Sequence, residues 1–390
     1  VTTGVDNTLV GGFAGDALTT GDRNVAVGLG ALGSDDVGER STAVGYAALN
    51  AQNFATSTNS YNTALGYSAG VSVSQGVQNT LIGANSAIDL SSGNYNTAVG
   101  YLALFEDEQG SNSVAVGYGA LQNQKFTTAT DSSNTAVGYF AGGNNQTGTQ
   151  NTFVGANAGD GTDDGAQNVA VGYLALSANN GDANTSIGRA SLQQTTGSAN
   201  TALGQSSGGA CTSGGNNLFL GQDAGLSGSP GGEISTGSNT VVIGDENISA
   251  AHIQVSLTVA SDQRDKTDFT PLNVGLDFVK QLNPVTYKWD KRSNYGDKSA
   301  EDYDLNAQTP DGTHKEDWLD VGFKAQEVEA LEKAAGYTIA NKTNLTTTLS
   351  DDGKQYGMQY EKFVPILVKA IQELSAKNDA LEARIATLEG

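Results

Sequence analysis

The sequence predicts a mainly β protein in which a repetitive shaft precedes a small α+β domain and a C-terminal coiled-coil helix. A five-residue unit, Asn-Thr-Ala-Val-Gly with variants, recurs fourteen times, mostly at a spacing of 17 residues. Only four of the 20 Lys and Arg residues precede position 250, so the composition changes there. Apolar residues then follow alternating steps of three and four near the end. The predicted segments are a shaft (1–249), a junction strand (250–260), an α+β domain (261–363) and a coiled-coil helix (364–390).

Each repeat is expected to form one short strand that ends at a glycine. The residue before this glycine is Val, Leu or Ile in every copy, from Val10 to Ile243. Glycine accepts a positive φ, and the preceding residues alternate as in a strand. Stacked copies would place these aliphatic residues in one buried column, and the asparagines that open most copies would form a ladder along one corner. Two spacings of 21 residues, ending at Gly66 and Gly138, are interpreted as four-residue insertions at the same corner.

The predicted core of the shaft is thin, because Ala, Gly, Ser and one aliphatic residue per turn supply most of it. Three chains wrapped together would bury more apolar surface and leave fewer open strand edges. We therefore expect a trimeric β-helix or β-roll, with a monomeric β-solenoid as the alternative. The repeat resembles the head repeats of trimeric adhesins and the shaft repeats of bacteriophage tail fibres.

Composition limits the classes of partner. The formal net charge of −22 argues against nucleic acid and anionic membranes, because both require Lys and Arg to offset phosphate charge. No apolar run is long enough for a transmembrane helix, so membrane insertion is not expected. Cys211 is the single cysteine, which excludes an intrachain disulfide and predicts a small buried side chain.

Several matches to short motifs are by-products of the repeat. Gly28–Gly33 fits GxGxxG, but the next strand returns after 17 residues, too few for the unit of about 30 residues that a dinucleotide site needs. Two GxSxG matches, around Ser68 and Ser206, have no histidine before His252. We therefore predict no cofactor and no catalytic triad in the shaft.

No metal site is predicted either. His252 and His314 are far apart and have no cysteine partners. The acidic clusters at 106–108 and 160–165 lack the ligand spacing of a calcium loop and are expected to be solvated loops.

The second half carries four motifs in order. Ser261-Asp262-x-Arg264-x-Lys266 is followed by L-x-P-V-x-Y-x-W at 282–289, by V-G-x-x-A-Q-E-V at 321–328 and by a helical segment at 360–374. Together they resemble the intramolecular chaperone domain of phage tailspikes and endosialidases, the self-cleaving peptidase S74 family. Asp265, where that family more often has an apolar residue, and the polar stretch 292–317 depart from its pattern.

The resemblance implies autoproteolysis at Ser261, with Ser261 as nucleophile and cleavage site, Lys266 as base, and Asp262 and Arg264 in supporting roles. A lysine can serve as base where burial or nearby positive charge favours its neutral form. Attack by Ser261 on the Ala260 carbonyl would cut before Ser261, whereas a cut after Ser261 needs water or a neighbouring chain. A turn without chemistry is the alternative.

The remaining elements are predicted from periodicity. Helices are expected at 271–282 and 325–335, and strands at 285–289 and 356–360. The coiled-coil positions, with Asn378 as the polar one, are Val364, Leu367, Ile371, Leu374, Asn378, Leu381, Ile385 and Leu388. Their spacing fits two or three strands, and the shaft argument favours three.

The predicted function is that of a virion tail-fibre or tailspike protein, made in the host cytoplasm. Its homotrimeric shaft would attach to a bacterial surface receptor, which we expect to be a glycan. Its C-terminal domain would trimerise and fold the shaft before cutting itself off. Self-cleavage is the only enzymatic activity considered for the chain. The alternatives are a bacterial trimeric surface adhesin and a shaft with polysaccharide depolymerase activity.

Overall fold

A computed structural model describes residues 2–254, 256–298, 300 and 302–389. The chain divides into two compact units, and both are discontinuous in sequence. The shaft unit comprises Val1–Leu226 and Ile234–Asp245, and the C-terminal unit comprises Ser227–Glu233 and Glu246–Gly390.

The shaft unit is a β-solenoid of about 13 turns, which confirms the predicted mainly β repeat. Each turn contributes a three-residue strand, and fourteen such strands form one parallel sheet in sequence order. The strands are Thr8–Val10, Val25–Val27, Thr42–Val44, Thr63–Leu65, Thr80–Ile82, Thr97–Val99, Val114–Val116, Thr135–Val137, Thr152–Val154, Val169–Val171, Thr185–Ile187, Thr201–Leu203, Leu218–Leu220 and Val241–Ile243.

The glycine that closes each strand is required by a close approach between turns. Gly100 has a φ of 140°, and a Cβ placed on it would lie 2.3 Å from the carbonyl oxygen of Gly117 in the next turn. Strands stack in register, so that Val99 pairs with Val116 and each glycine meets its successor. A side chain at this position would both strain the backbone and force the turns apart.

The predicted asparagine ladder is present, and its bonds run from side chain to backbone. In the central part of the shaft, Asn96 Oδ1 accepts from the Ser113 amide at 2.9 Å, and Asn96 Nδ2 donates to the Gly110 carbonyl at 2.8 Å. The Asn96 amide in turn donates to Asn79 Oδ1 at 2.9 Å. Each buried asparagine therefore ties the backbone of one turn to that of the next.

Replacing Asn96 by Ala should destabilise the shaft strongly, because the buried Ser113 amide and Gly110 carbonyl both lose their side-chain partner. Each unpaired buried group costs roughly 1–3 kcal/mol, so the loss of two partners should lower the free energy of unfolding by about 2–6 kcal/mol. Thermal unfolding followed by circular dichroism measures the change. Asn123→Ala is the matched control, since Asn123 makes an exposed side-chain bond to Asn144. Equal melting temperatures for the two variants would contradict a structural role for the ladder.

The direction of the strand side chains corrects one prediction. The central residue of each strand points inward, and Ala26, Ala43 and Ala98 are fully buried. The aliphatic residue before each glycine was predicted to be buried, but Val10 is 56% exposed and Leu203 is 50% exposed. Successive side chains of a strand point to opposite faces, so the residue that follows the buried central one lies towards the surface of the single chain.

The two insertions bring the same buried network into the shaft twice. At these turns a serine replaces the ladder asparagine, and a glutamine from the insertion fills the space next to a buried aspartate. Gln52 Nε2 donates to Asp35 Oδ2 at 2.6 Å, and Gln124 Nε2 donates to Asp107 Oδ2 at 2.6 Å. Burial raises the pKa of both aspartates. Asp107 was predicted to lie in a solvated loop, which is wrong, because it is fully buried.

Short parallel strands accompany these insertions. Gly38–Glu39 pairs with Thr58–Asn59, and Gly110–Ser111 pairs with Thr130–Asp131. Both pairs therefore extend a corner of the solenoid where the spacing is 21 residues, as predicted for insertions at one position.

The C-terminal unit is α+β. Its helices are α1 (Leu276–Val279), α2 (Ala325–Ala334) and α3 (Phe363–Glu389). Its strands form two antiparallel pairs, Val285–Tyr287 with Asp320–Gly322 and Thr347–Leu349 with Tyr356–Met358. The 3₁₀ helices are Gln263–Asp265, Arg292–Asn294, Leu305–Ala307 and Tyr360–Lys362. The core consists of Val274, Phe278, Val328, Phe363 and Ile366.

Two predicted elements differ from the structure. The strand expected at 250–260 does not form among the described residues there, because a lone segment has no neighbour to supply ladder hydrogen bonds. Val255, part of its predicted alternation, lies outside the described residues. The helix expected at 271–282 is confined to α1. Among the described residues, no helix is long and apolar enough to cross a membrane.

Candidate functional site

The predicted catalytic pair is brought together by one 3₁₀ turn. Residues Gln263–Asp265 form this turn, so that Lys266 folds back over Ser261. Lys266 Nζ donates to Ser261 Oγ at 2.5 Å and to the Ser261 carbonyl oxygen at 3.3 Å. The lysine therefore reaches both the proposed nucleophile and the carbonyl of the Ser261–Asp262 peptide bond.

Asp262 and Arg264 hold the turn that positions this pair. Asp262 caps the 3₁₀ helix by accepting from the Arg264 amide at 2.9 Å. The Arg264 guanidinium donates to the same carboxylate, with Nη2 at 2.6 Å from Oδ2. The side-chain hydrogen bond from Arg264 lowers the pKa of Asp262 below its ordinary value. All four predicted residues thus lie in one local cluster, and their roles in cleavage remain predictions.

The cluster is fully open to solvent in a single chain. Every described residue from 247 to 271 is exposed, including Ser261 and Lys266. Arg264 is engaged by Asp262, so its charge is partly offset at the lysine. Neutral lysine is favoured by burial, and one chain supplies none. The geometry for a Ser-Lys pair is therefore present, whereas the desolvation that would activate it is not.

The other matched segments form the framework of the C-terminal unit. The segment at 282–289 contributes Val285–Tyr287, which pairs with Asp320–Gly322, the strand that leads into the segment at 321–328. Trp289 and Trp318 are 47% and 79% exposed. Trp289 Nε1 donates to Asp320 Oδ2 at 3.2 Å, which fixes the ring across the strand pair. Large aromatic surface therefore remains uncovered on one chain.

A buried carboxylate that the sequence did not single out organises this unit. Glu332 on α2 accepts from the Thr346 amide and hydroxyl, each at 2.7 Å, and from the Thr347 hydroxyl at 2.7 Å. Burial alone would raise the pKa of Glu332, but the hydrogen bonds from Thr346 and Thr347 outweigh it and lower the pKa. This carboxylate fixes the start of the Thr347–Leu349 strand against α2.

Glu332→Gln should weaken the C-terminal unit by about 1–3 kcal/mol at neutral pH, because an amide accepts fewer hydrogen bonds than a carboxylate. Since the pKa of Glu332 is lower in the folded state, its stabilisation is present above the unfolded value near 4.5 and is lost as pH falls through the folded value. The melting temperature of the unchanged protein should therefore drop on acidification, and that of the variant should drop less. Parallel pH dependences would contradict this role.

Helix α3 presents the predicted coiled-coil positions to solvent. Phe363, Ile366 and Ala370 are buried at its beginning, where it packs on the core. The predicted contact positions face away from this core and are exposed, with Ile371 at 66% and Leu381 at 57%. Asn378 Nδ2 donates to Glu382 Oε1 at 3.0 Å on the same helix. The helix is therefore apolar on a face that its own chain does not cover.

Part of the C-terminal unit matches the model of a known protein family. Residues 261–337 match the family model Peptidase_S74, described as the chaperone of endosialidase. The match begins at Ser261 and covers less than half of the chain, and it ends before α3. Together with the β-solenoid shaft, it fits a protein of the tail-fibre or endosialidase type. The chain matches none of the curated proteins and none of the solved structures with which it was compared.

Proposed function

We propose that the chain is a homotrimeric bacteriophage tail-fibre or tailspike protein whose C-terminal unit assembles the shaft and then cuts the chain at Ser261. The observation that carries this proposal is the apolar surface that a single chain leaves open. It occurs on the shaft, on the strand pair of the C-terminal unit and on α3, which are three separate places with one common explanation.

The shaft contributes a row of half-buried and exposed aliphatic residues along one face. The aliphatic residue before each closing glycine stacks on its counterpart in the next turn, as Val99 does on Val116. In six copies the residue two positions later is a tyrosine, and Tyr118 and Tyr139 stack with ring centroids 5.2 Å apart. Soluble monomers rarely expose a patch of this length, and two further copies of the chain would cover it.

The C-terminal unit contributes the register. An apolar α3 at one end is a local element that associates quickly, whereas a parallel solenoid with contacts between distant residues folds slowly. Three helices brought together would align the chains before the shaft winds. The family match at 261–337 supports this chaperone role and favours a tail fibre over the adhesin alternative.

Assembly would also supply what the Ser-Lys pair lacks. Covering Ser261 and Lys266 with a neighbouring chain would desolvate the lysine and favour its neutral, basic form. Cleavage would then follow trimerisation, so that only correctly assembled shafts are cut.

Two routes of cleavage are open. In one, Ser261 Oγ loses its proton to Lys266 and attacks the Ala260 carbonyl carbon, the bond to the Ser261 nitrogen breaks, and water hydrolyses the resulting ester. In the other, a water or a serine of a neighbouring chain gives up its proton and attacks the Ser261 carbonyl carbon, and the bond to the Asp262 nitrogen breaks as that nitrogen takes up the proton. Where a serine attacks, water then hydrolyses the resulting ester. The Lys266 contact with the Ser261 carbonyl favours the second route, because a donor there stabilises the developing negative charge.

Host attachment is the part of the proposal that concerns the shaft. The net charge of −22 keeps a long assembly soluble and argues against anionic partners. We propose a bacterial surface glycan as receptor and the phage tail as the location of the mature trimer.

The test is the molar mass of the full chain in solution, together with a denaturing gel. We expect three times 39.9 kDa before cleavage, and two fragments of about two thirds and one third of the chain mass afterwards. A molar mass of one chain would refute the trimer. Binding of the labelled trimer to a panel of bacterial strains, before and after enzymatic removal of surface glycans, tests attachment. Equal binding to stripped cells would exclude a glycan receptor.

A further inference from the structure

The predicted cleavage site lies inside the C-terminal unit, because this unit begins before the site. The last two shaft glycines, Gly221 and Gly244, are 23 residues apart, so the final repeat is longer than the others. Part of its extra length, Ser227–Glu233, belongs to the C-terminal unit, and so does Glu246. A cut at Ser261 therefore separates these residues from the rest of their own unit.

Within the unit, ion pairs and hydrogen bonds join residues before the cut to residues after it. Lys291 Nζ donates to the Glu246 carbonyl oxygen at 2.7 Å, and the Lys298 ammonium forms an ion pair with the Glu246 carboxylate. The side chain of Glu246 is only 6% exposed. The Glu233 amide donates to Asp352 Oδ2 at 3.3 Å. None of these bonds depends on an intact peptide at Ser261.

Close packing accompanies the polar contacts. Gly228, Ser229 and Gly232 are buried. A Cβ placed on Gly232 would lie 2.7 Å from Ser350 Cβ. A Cβ placed on Gly228 would lie 2.8 Å from Ser293 Cβ. The 227–233 segment therefore packs closely against the rest of the unit, and glycine occupies the two positions where a side chain would collide with a serine.

The segment that would be cut contributes none of this packing. All described residues between 247 and 271 are exposed, and the described part of 250–260 has no regular secondary structure. Breaking one peptide bond there removes no buried contact of the unit. The buried contacts of Glu246 and of 227–233 remain available afterwards.

We infer that cleavage leaves the two products bound to each other. The surface formed by Lys291, Lys298, Ser350 and Asp352 is a binding site for a peptide of this same chain, the 227–233 segment together with the acidic Glu246. The C-terminal product is then released only when this surface dissociates from the 227–233 segment and Glu246. Release is therefore a separate step from cleavage. The inference rests on the proposed cleavage, since it concerns its products.

The experiment makes the cut without the chemistry of Ser261. The full chain with Ser261→Ala receives a recognition sequence for a specific protease in place of 256–260, and that protease is added after purification. We expect size-exclusion chromatography to give one peak that contains both fragments, which a denaturing gel then separates. Separate elution of the fragments would overturn the inference, whether or not the natural chain cuts itself.

A second arm tests the assigned surface. Lys291→Ala with Lys298→Ala removes both contacts to Glu246, and retention should weaken at least about tenfold, because the buried carboxylate loses its cation. Salt of ~1 M should weaken retention in the parent chain through the same contacts. Lys280→Ala with Lys342→Ala, two exposed lysines of the same unit, is the charge-matched control. Uncut double variants must elute and melt like their parent, and equal retention in the two pairs would assign binding elsewhere.

Discussion

Replacing Ser261 by Ala is expected to leave one full-length chain where the unchanged protein gives two fragments. The substitution removes the hydroxyl that Lys266 contacts at 2.5 Å, and it leaves the 3₁₀ turn and the Asp262–Arg264 ion pair intact. Because Ser261 Oγ is the attacking atom wherever a serine is the nucleophile, the effect should be a complete loss of cleavage, and cleavage that persists would indicate water as the nucleophile. A denaturing gel after prolonged incubation measures it.

Lysine variants test the partner in the pair. Lys266→Met should also abolish cleavage, and Lys266→Arg should do the same, because a guanidinium does not act as a base at neutral pH. Asp265→Ala is the control, since Asp265 is an exposed member of the same turn. The mass of the smaller product tells whether it begins at Ser261 or Asp262. Two bands from Ser261→Ala, with a molar mass that still corresponds to the trimer, would remove this residue from its role.

Placing charge on the exposed face of α3 is expected to abolish assembly. Leu381 and Ile385 are predicted coiled-coil positions that are 57% and 52% exposed in one chain and lie far from its core. Burying each such side chain stabilises by about 1.5–3 kcal/mol, and three chains multiply the effect. Leu381→Asp with Ile385→Asp would remove that gain and add repulsion between carboxylates. Light scattering should then give the molar mass of one chain.

The control for this variant adds the same charge elsewhere on the helix. Ala380→Asp with Ala383→Asp changes exposed positions outside the predicted contact face, so a trimer should persist. If cleavage requires a neighbouring chain, the variant at 381 and 385 should also stay uncut despite an intact Ser-Lys pair. Cleavage at the normal rate by a single chain would contradict the proposed dependence on assembly.

The sequence was sufficient to locate the turns of the shaft. Glycine and asparagine recur because backbone conformation and buried hydrogen bonds require them at one place in each turn. Their spacing therefore predicts where each turn begins and ends. Gly100 and Asn96 illustrate this, since each makes a contact to the next turn that few other residues could make. The Ser261–Lys266 contact was equally local and therefore equally predictable.

The sequence was not sufficient to orient the strands or to find the buried networks. Alternation in Val25-Ala26-Val27 defines two faces, but alternation alone does not tell which of the two faces the interior. The Asp35–Gln52 pair joins residues in different turns, and its signal was the repeat of the same 17-residue spacing at Asp107–Gln124. Likewise, the contacts of Glu246 with Lys291 and Lys298 link residues about 50 positions apart, and no periodic pattern in the sequence predicts them.

The glycine and asparagine contacts between turns have a consequence for how such proteins change in length. Apart from the two insertion turns, the turns present similar acceptors and donors to the turn before and the turn after, so a copy among them can be added or removed with little change to its neighbours. A solenoid built this way is modular, and its length can change in steps of ~4.8 Å per repeat while the C-terminal unit stays unchanged. A substitution of Gly100, by contrast, would place a side chain against the next turn and destabilise the stack. Variation among these fibres should therefore proceed by whole repeats.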